Sequence, residues 1–246
     1  MAAYLAQLGH RVYAASRRGT VAAGSGAVAL TLDVDDEASV AKAIDEVWRH
    51  EQRIDVVVNC AGFGIAGAIE DTPIELAQAQ FNTNVFGVMR VCRRVLPLMR
   101  SRQRGLIINV TSIAGEFSLP FQGWYSGSKF AVEGLSEALH AEVRPYGIDV
   151  VVVQPGDFRT GFTNARRVAD HNGSVYADRA DRALAIAARD ETAGAEPEQA
   201  ARLVAAIIAS RRRKLRYVVG PAAQEWLMRL RHVLPGRWLI ARHFES

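Results

Sequence analysis

The sequence predicts an α/β protein: a parallel sheet covered by helices on both faces. Three observations carry that prediction. Six short apolar runs, RVYAAS (11–16), VALTLDV (28–34), DVVVNCAG (55–62), GLIINVTS (105–112), DVVVVQPG (149–156) and LRYVVG (215–220), have the continuous hydrophobicity of strands buried on two sides. Helical patterns alternate with the later runs at 37–50, 74–100, 124–144 and 197–211, and such alternation gives parallel neighbours joined by helical crossovers. The 246 residues, 49% apolar and 23% charged with no long biased segment, suit one large domain spanning 1–246.

Each element has its own signal. Ala2 to Gly9 reads as the end of an apolar helix, with Gly9 at its stop and the strand RVYAAS directly after it. The helix at 37–50 follows an Asp-rich turn. Within 74–100, Ile74, Ala77, Phe81, Val85, Val88, Cys92 and Val95 recur at helical spacing and predict a buried stripe. Between Gly156 and Glu196 the pattern gives way to polar text, TNARRVADHNGSVYADRADRA, which predicts a partly helical lid over about 157–196. A C-terminal extension over about 221–246 holds Trp226, Leu227, Leu230, Val233 and Leu234 as an apolar helical stripe amid Arg229, Arg231 and His232. Three uses of it compete: packing beside a substrate pocket, a subunit contact, or a peripheral contact with a membrane surface.

Composition narrows the chemistry. Thirty Lys and Arg against 26 Asp and Glu give a scattered excess of +4, which attracts anions without specifying a nucleic acid. The run RRRK at 211–214 lies between a helix and a strand without interleaved aromatics, so it reads as a solvated turn and no nucleic-acid partner is expected. Cys60 and Cys92 form no CxxC pair, which disfavours disulfides and a metal site; Cys60 is expected to be an inert buried residue, and the protein cytoplasmic. Neither a secretory-leader pattern nor a run long enough to span a bilayer is read along these residues, so secretion and membrane spanning are not expected.

The sharpest chemical signal is Thr111-Ser112 closing a strand, followed by YSGSK opening the next helix. Tyr125 and Lys129 are four apart and share a helix face, while Ser112 lies thirteen residues upstream at its strand's carboxyl end. Ligands bind at that edge of open α/β sheets. A lysine cation about 5 Å from a phenol, at an effective dielectric near 20, favours phenolate by roughly 3 kcal/mol, which predicts a Tyr125 pKa lowered by about 2 units.

With NCAG at 59–62, FNTNVFG at 81–87, Ser112, the YxxxK pair and PGDFRT at 155–160 in that order, the chain resembles the short-chain dehydrogenase/reductase family over nearly its whole length. The resemblance implies a Rossmann-like doubly wound fold and an NAD(P)-dependent alcohol dehydrogenase or carbonyl reductase. It implies that Tyr125 protonates the carbonyl oxygen, Ser112 hydrogen-bonds the same oxygen and nicotinamide delivers hydride. Lys129 would also hold the nicotinamide ribose, and Asn84 would kink its helix and position a water in a proton relay. Asn59, Ala61 and Gly62 would meet the adenosine side, with Cys60 standing where the family usually has asparagine. Pro155, Gly156, Phe158 and Thr160 would lie at the nicotinamide end, the loop receiving the carboxamide. Asp33, with Val34, resembles the family position that meets the adenine amino group, the alternative for Asp33 being a helix cap.

Cofactor preference is read from Ser16, Arg17 and Arg18, which stand where NAD-using relatives place an acid. A guanidinium suits a phosphate, so NADP(H) is favoured over NAD(H). The stretch AGFGIAGAIEDTPIELAQAQFNTNVFGVMR and the aromatic tail look like the branch containing hydroxysteroid and retinol dehydrogenases. That implies a lipophilic ketone, aldehyde or secondary alcohol, with Phe121, Trp124 and Phe162 as candidate pocket wall, and a homodimer or tetramer. The family's first strand and TGxxxGxG loop have no counterpart before Gly9. Met1 is therefore expected to be an internal methionine of a product starting roughly twenty residues earlier, since the first βα turn normally receives the pyrophosphate. The rival readings are a non-catalytic dinucleotide-binding sensor or scaffold, which the lost loop favours and the Ser112, Tyr125 and Lys129 set opposes, and a truncated inactive form.

Overall fold

The structure, a computed structural model, describes residues 1–230 without the Arg229 side chain. Arg231, His232, Val233 and Leu234 lie outside the described residues. Helix α1 (Ala2–Gln7) ends with the Leu8 and Gly9 amides bonded back to its last carbonyls, and Gly9 turns left-handed as its sequence position suggested. Strands β1 (Tyr13–Ser16) and β2 (Val28–Thr31) then pair in parallel. The Asp36 carboxylate accepts the Ala38 and Ser39 amides and starts α2 (Glu37–Glu51). Asp33 instead accepts the Asp35 amide at 3.0 Å, so the capping role open to it in the sequence falls to Asp36.

The main sheet has the order β3, β5, β6, β8, formed by Val56–Asn59, Gly105–Val110, Ile148–Pro155 and Arg216–Val219, and every pairing in it is parallel. Side chains alternate across it. Ile107 and Val150 join Val40 and Ile44 of α2, Val95 and Met99 of α4 (Val88–Ser101) and Val132 of α5 (Gly123–Val143) on one face. Leu106, Ile108, Val151 and Val153 join Leu5 of α1 and Val204 and Ile207 of α8 (Pro197–Ala209) on the other. This two-sided cover is why the central runs could be continuously apolar. The β1–β2 ladder shares no hydrogen-bonded pair with the main sheet, and Val56, Val57 and Val58 of β3 stay half-buried where β5 and β6 are buried.

Two elements differ from their sequence patterns. The helix expected over 74–100 consists of α3 (Ile74–Phe81) and α4 joined by a π-helical turn, Asn82–Gly87. Its predicted stripe is inward from Ala77 to Val95, but Ile74, at the first turn, is exposed. The polar segment after β6 folds as α6 (Phe162–Ala165), the two-residue β7 (Arg167–Val168) and α7 (Ala177–Thr192). β7 pairs with β4 (Ile65–Ala66), and a buried ion pair of Arg166 with Glu191 joins the segment's two ends. Helix α9 (Ala222–Leu230) follows β8. The basic run before β8 is less solvated than its composition suggests: Arg213 donates to the Ile207 and Ile208 carbonyls and to Asp149, closing the end of α8.

Candidate active site

Ser112 sits where β5 ends. Its Oγ accepts the Ala114 amide at 3.1 Å and lies 3.4 Å from the Pro155 carbonyl, which ties the end of β5 to the end of β6. Helix α5 opens two residues before Tyr125, so Tyr125 and Lys129 fall one turn apart, both buried, with Lys129 Nζ 5.7 Å from the phenol ring centroid. The ring of Phe162 packs on Tyr125 at 5.6 Å.

Burial pushes the Tyr125 phenol up to about 12, against a hydrogen bond with Ser112 that lowers it; the Glu191 and Asp157 carboxylates add to the rise and Arg166 opposes it. The sequence had implied the reverse direction. Desolvation outweighs the lysine's attraction here, because Lys129 is itself buried, pushed down to about 8, and turns its amine to the Val110 carbonyl at 3.1 Å. At neutral pH the phenol is protonated, the state a general acid needs.

The π-helical turn brings Asn84 into the interior. Its Nδ2 donates to the Phe63 carbonyl and to Ser128 Oγ at 3.0 Å each, while Oδ1 accepts the Phe63 amide at 3.0 Å. Gln80, one turn earlier on the same face, also donates to the Phe63 carbonyl. Between them they clamp the loop that follows β3. Cys60 and Gly62 of that loop line the cavity and Ala61 beside them is exposed; Cys60 is accessible there rather than buried as expected, while desolvation pushes its thiol up to about 11, in keeping with the inert residue expected. Asn59 moves the other way: its Nδ2 donates to Asn109 Oδ1 at 2.8 Å, and Asn109 donates to Ser136 at 2.9 Å. Its amide is thus spent in a buried polar ladder between β3, β5 and α5 rather than offered to a ligand.

One cavity of about 410 Å³ joins these groups at the carboxyl ends of β5 and β6. Ser112, Tyr125, Lys129, Pro155, Gly156 and Thr160 line it, together with Phe158 and Phe162. Ala183, Ile186, Ala187, Asp190 and Glu191 of α7 add a wall at helical spacing, apolar first and acidic at its end. Phe121 and Trp124, expected in the wall, do not line it. Phe121 lies under the Arg179 guanidinium and Trp124 packs edge-on against Phe81. From α9, Leu227 lines the cavity, Trp226 and Leu230 are exposed, and Gln224 accepts the Asp157 amide at 2.9 Å. Gln224 and the α7 wall escaped the sequence reading, although LAIAARD carried the spacing. Ser16 ends β1 with Arg17 and Arg18 after it, and Asp33 and Val34 follow β2, all outside the lining of this cavity; Arg17 and Arg18 are exposed and pair with no carboxylate among the described residues.

Ser, Tyr and Lys at the carboxyl edge of a parallel sheet, with an asparagine in a π-helical turn, narrow the choice of family. A family model described as short chain dehydrogenase matches residues 1–171. The chain belongs to the short-chain dehydrogenases. It is 42% identical over 233 residues, 94% of this chain and 86% of the relative, to a 3-ketodihydrosphingosine reductase from Bacteroides thetaiotaomicron. A short-chain dehydrogenase from Streptomyces avermitilis superposes with a TM-score of 0.82 at 32% identity, covering 94% of this chain and 87% of that one. A relative from Burkholderia phymatum, solved in complex with NAD, gives 0.79 at 27% identity, with 94% and 88% covered. This short-chain dehydrogenase is therefore an oxidoreductase on a Rossmann-type fold. Among the described residues no helix is long and apolar enough to cross a membrane, and no cluster of His, Cys, Asp or Glu could hold a metal ion.

Proposed function

We propose that this short-chain dehydrogenase is an NADP(H)-dependent carbonyl reductase whose substrate is a long-chain ketone of the amino-ketone class. The observation that carries the proposal is the cavity itself, where Ser112 and Tyr125 meet an apolar wall of Phe117, Leu119, Ala183, Ile186 and Leu227, with Asp190 and Glu191 at its end. An apolar chain suits that wall, and an ammonium beside the carbonyl suits the Asp157 and Asp190 carboxylates that also line the cavity, Glu191 being already paired with Arg166; Glu191 and Asp157 both act on Tyr125. The 3-ketodihydrosphingosine reductase at 42% identity supports the same class.

The residues present fit the nicotinamide end of a dinucleotide: Cys60, Gly62, Lys129, Pro155, Gly156 and Thr160 all line the cavity at the sheet edge. When bound, the dinucleotide supplies the hydride. Tyr125 gives its phenolic proton to the carbonyl oxygen, and Ser112 donates a hydrogen bond to the same oxygen. Lys129 stabilises the phenolate left behind and offers an ammonium to the ribose, while Asn84 holds the loop around Gly62 in place. Arg17 and Arg18, cationic and exposed after β1, favour the extra phosphate of NADP(H).

The test is steady-state reduction of 3-ketodihydrosphingosine, a steroid ketone, retinal and a short-chain ketone with NADPH and with NADH. Turnover of the long-chain amino ketone with NADPH is expected. NADPH binding without turnover of any of the four would replace the enzyme with the non-catalytic sensor.

A further inference from the structure

Helix α5 carries a second charged side chain, one turn after Lys129, that the chemistry above does not use. Glu133 is only 5% exposed. Its Oε1 accepts the Thr111 hydroxyl at 2.6 Å and the Gln154 amide at 3.0 Å, and its Oε2 accepts Arg216 Nε at 2.9 Å. Thr111 directly precedes Ser112, Gln154 directly precedes Pro155, and Arg216 opens β8. A buried carboxylate is tolerated where its lone pairs are filled and a cation stands beside it, and both conditions hold here. The packing around it is close: a Cβ on Gly115, in the turn after Ser112, would lie 3.2 Å from Glu133 Cγ and 3.3 Å from the Lys129 carbonyl carbon.

The charges around Lys129 are few. Cys60 faces it from the end of β3, and Tyr125 and Glu133 flank it on α5; Gly62, Asn84 and Val110, on the other elements against it, are neutral. Behind Glu133 stand Arg216, bridged to Glu137 at 2.5 Å, and Glu116, which accepts the Gln154 amide at 2.6 Å. Burial disfavours the ammonium form of Lys129; Cys60 favours it, and Glu133 is the carboxylate that does so beside it.

We propose that Glu133 is a positioning residue for the reaction: it holds the Thr111–Ser112 and Gln154–Pro155 junctions in register with Tyr125, and its fixed charge keeps Lys129 an ammonium. The proposal rests on the role given to Lys129 above. Lys42, Lys129 and Lys214 are the chain's three lysines, so ¹³C-labelled lysine gives a short spectrum in which Lys129 is assigned by mutation.

The experiment is an NMR pH titration of Lys129 in the wild type, Glu133→Gln, Arg216→Gln and Glu137→Gln, beside kcat and KM profiles against pH. Losing one opposite charge one helical turn away should move the Lys129 midpoint down by on the order of one pH unit in Glu133→Gln, with kcat lowered and the KM for NADPH held. Arg216→Gln should move the midpoint up, and Glu137→Gln should leave it unchanged. A Lys129 midpoint equal in wild type and Glu133→Gln overturns the proposal. If Glu133→Gln does not fold, Arg216→Gln decides, and a midpoint that fails to rise overturns it. The NMR reading needs no substrate. Shifted midpoints without turnover of any carbonyl uphold the charge coupling and remove the functional reading alone; unshifted midpoints with turnover do the reverse.

Discussion

At the scale of single residues, the site stores charge and polarity that the fold would be more stable without. Lys129 is the clearest case, pushed from an ordinary lysine value of 10.5 to about 8 by burial. A base with a depressed folded pKa destabilises the protein below that value, and the penalty fades as pH rises from about 8 through 10.5. Lys129→Met should therefore raise stability at pH 7 by up to about 3 kcal/mol, taking 1.36 kcal/mol per unit, while abolishing turnover. Urea unfolding at pH 7 and pH 10 checks it, and the gain should shrink at the higher pH. Tyr125 carries the opposite sign: its phenol holds a proton more tightly folded than unfolded, so its contribution is lost as pH climbs from about 10 to 12. Tyr125→Phe should lower kcat by about 10²–10⁴-fold, the usual worth of a general acid, and leave NADPH binding by calorimetry intact.

At the scale of elements, the π-helical turn and α7 do the shaping. The extra residue in the helix from 74 to 101 rotates Asn84 inward so that it grips both polar groups of Phe63. Asn84→Ala should cost about 1–3 kcal/mol for the groups left unsatisfied, with faster hydrogen exchange at the Phe63 amide as the local readout. FNTNVFG announced this turn only through family resemblance, because a π turn has no hydrophobic period of its own. The α7 wall gives a specificity prediction. Ala187→Phe should narrow the cavity and raise the KM for a long-chain ketone by at least about tenfold, while NADPH affinity stays unchanged. The lid was legible as an insertion with helical content; which of its faces lines the cavity depended on the Arg166–Glu191 pair and on β4–β7, contacts between residues about a hundred positions apart or joined across the loop.

At the scale of the whole molecule, the main sheet and the β1–β2 ladder are separate hydrogen-bonded units. Amides of β3 that point away from β5 should exchange faster than those of β5 and β6, which have partners on both sides. The cofactor preference belongs to this scale too, since Arg17 and Arg18 lie beyond β1 rather than in the cavity. Replacing both with alanine should reduce the ratio of kcat/KM for NADPH over NADH by at least about tenfold, the worth of a charge-assisted contact to phosphate.

The sequence by itself determined the parallel α/β architecture, the two faces of its core and the order of the chemical groups, because continuous apolar runs, helical periodicity and the spacing from Ser112 to Lys129 are local properties of the chain. Tertiary structure decided what those groups experience. Whether the Tyr125 pKa rises or falls depends on how deeply several elements bury it, whether Asn59 faces a ligand or the interior depends on Asn109 and Ser136 brought from distant segments, and Glu133 gained its partners only when β5, β6 and β8 closed over one turn of α5. Desolvation and buried hydrogen bonding are sums over neighbours in space, so no stretch of sequence read alone carries them.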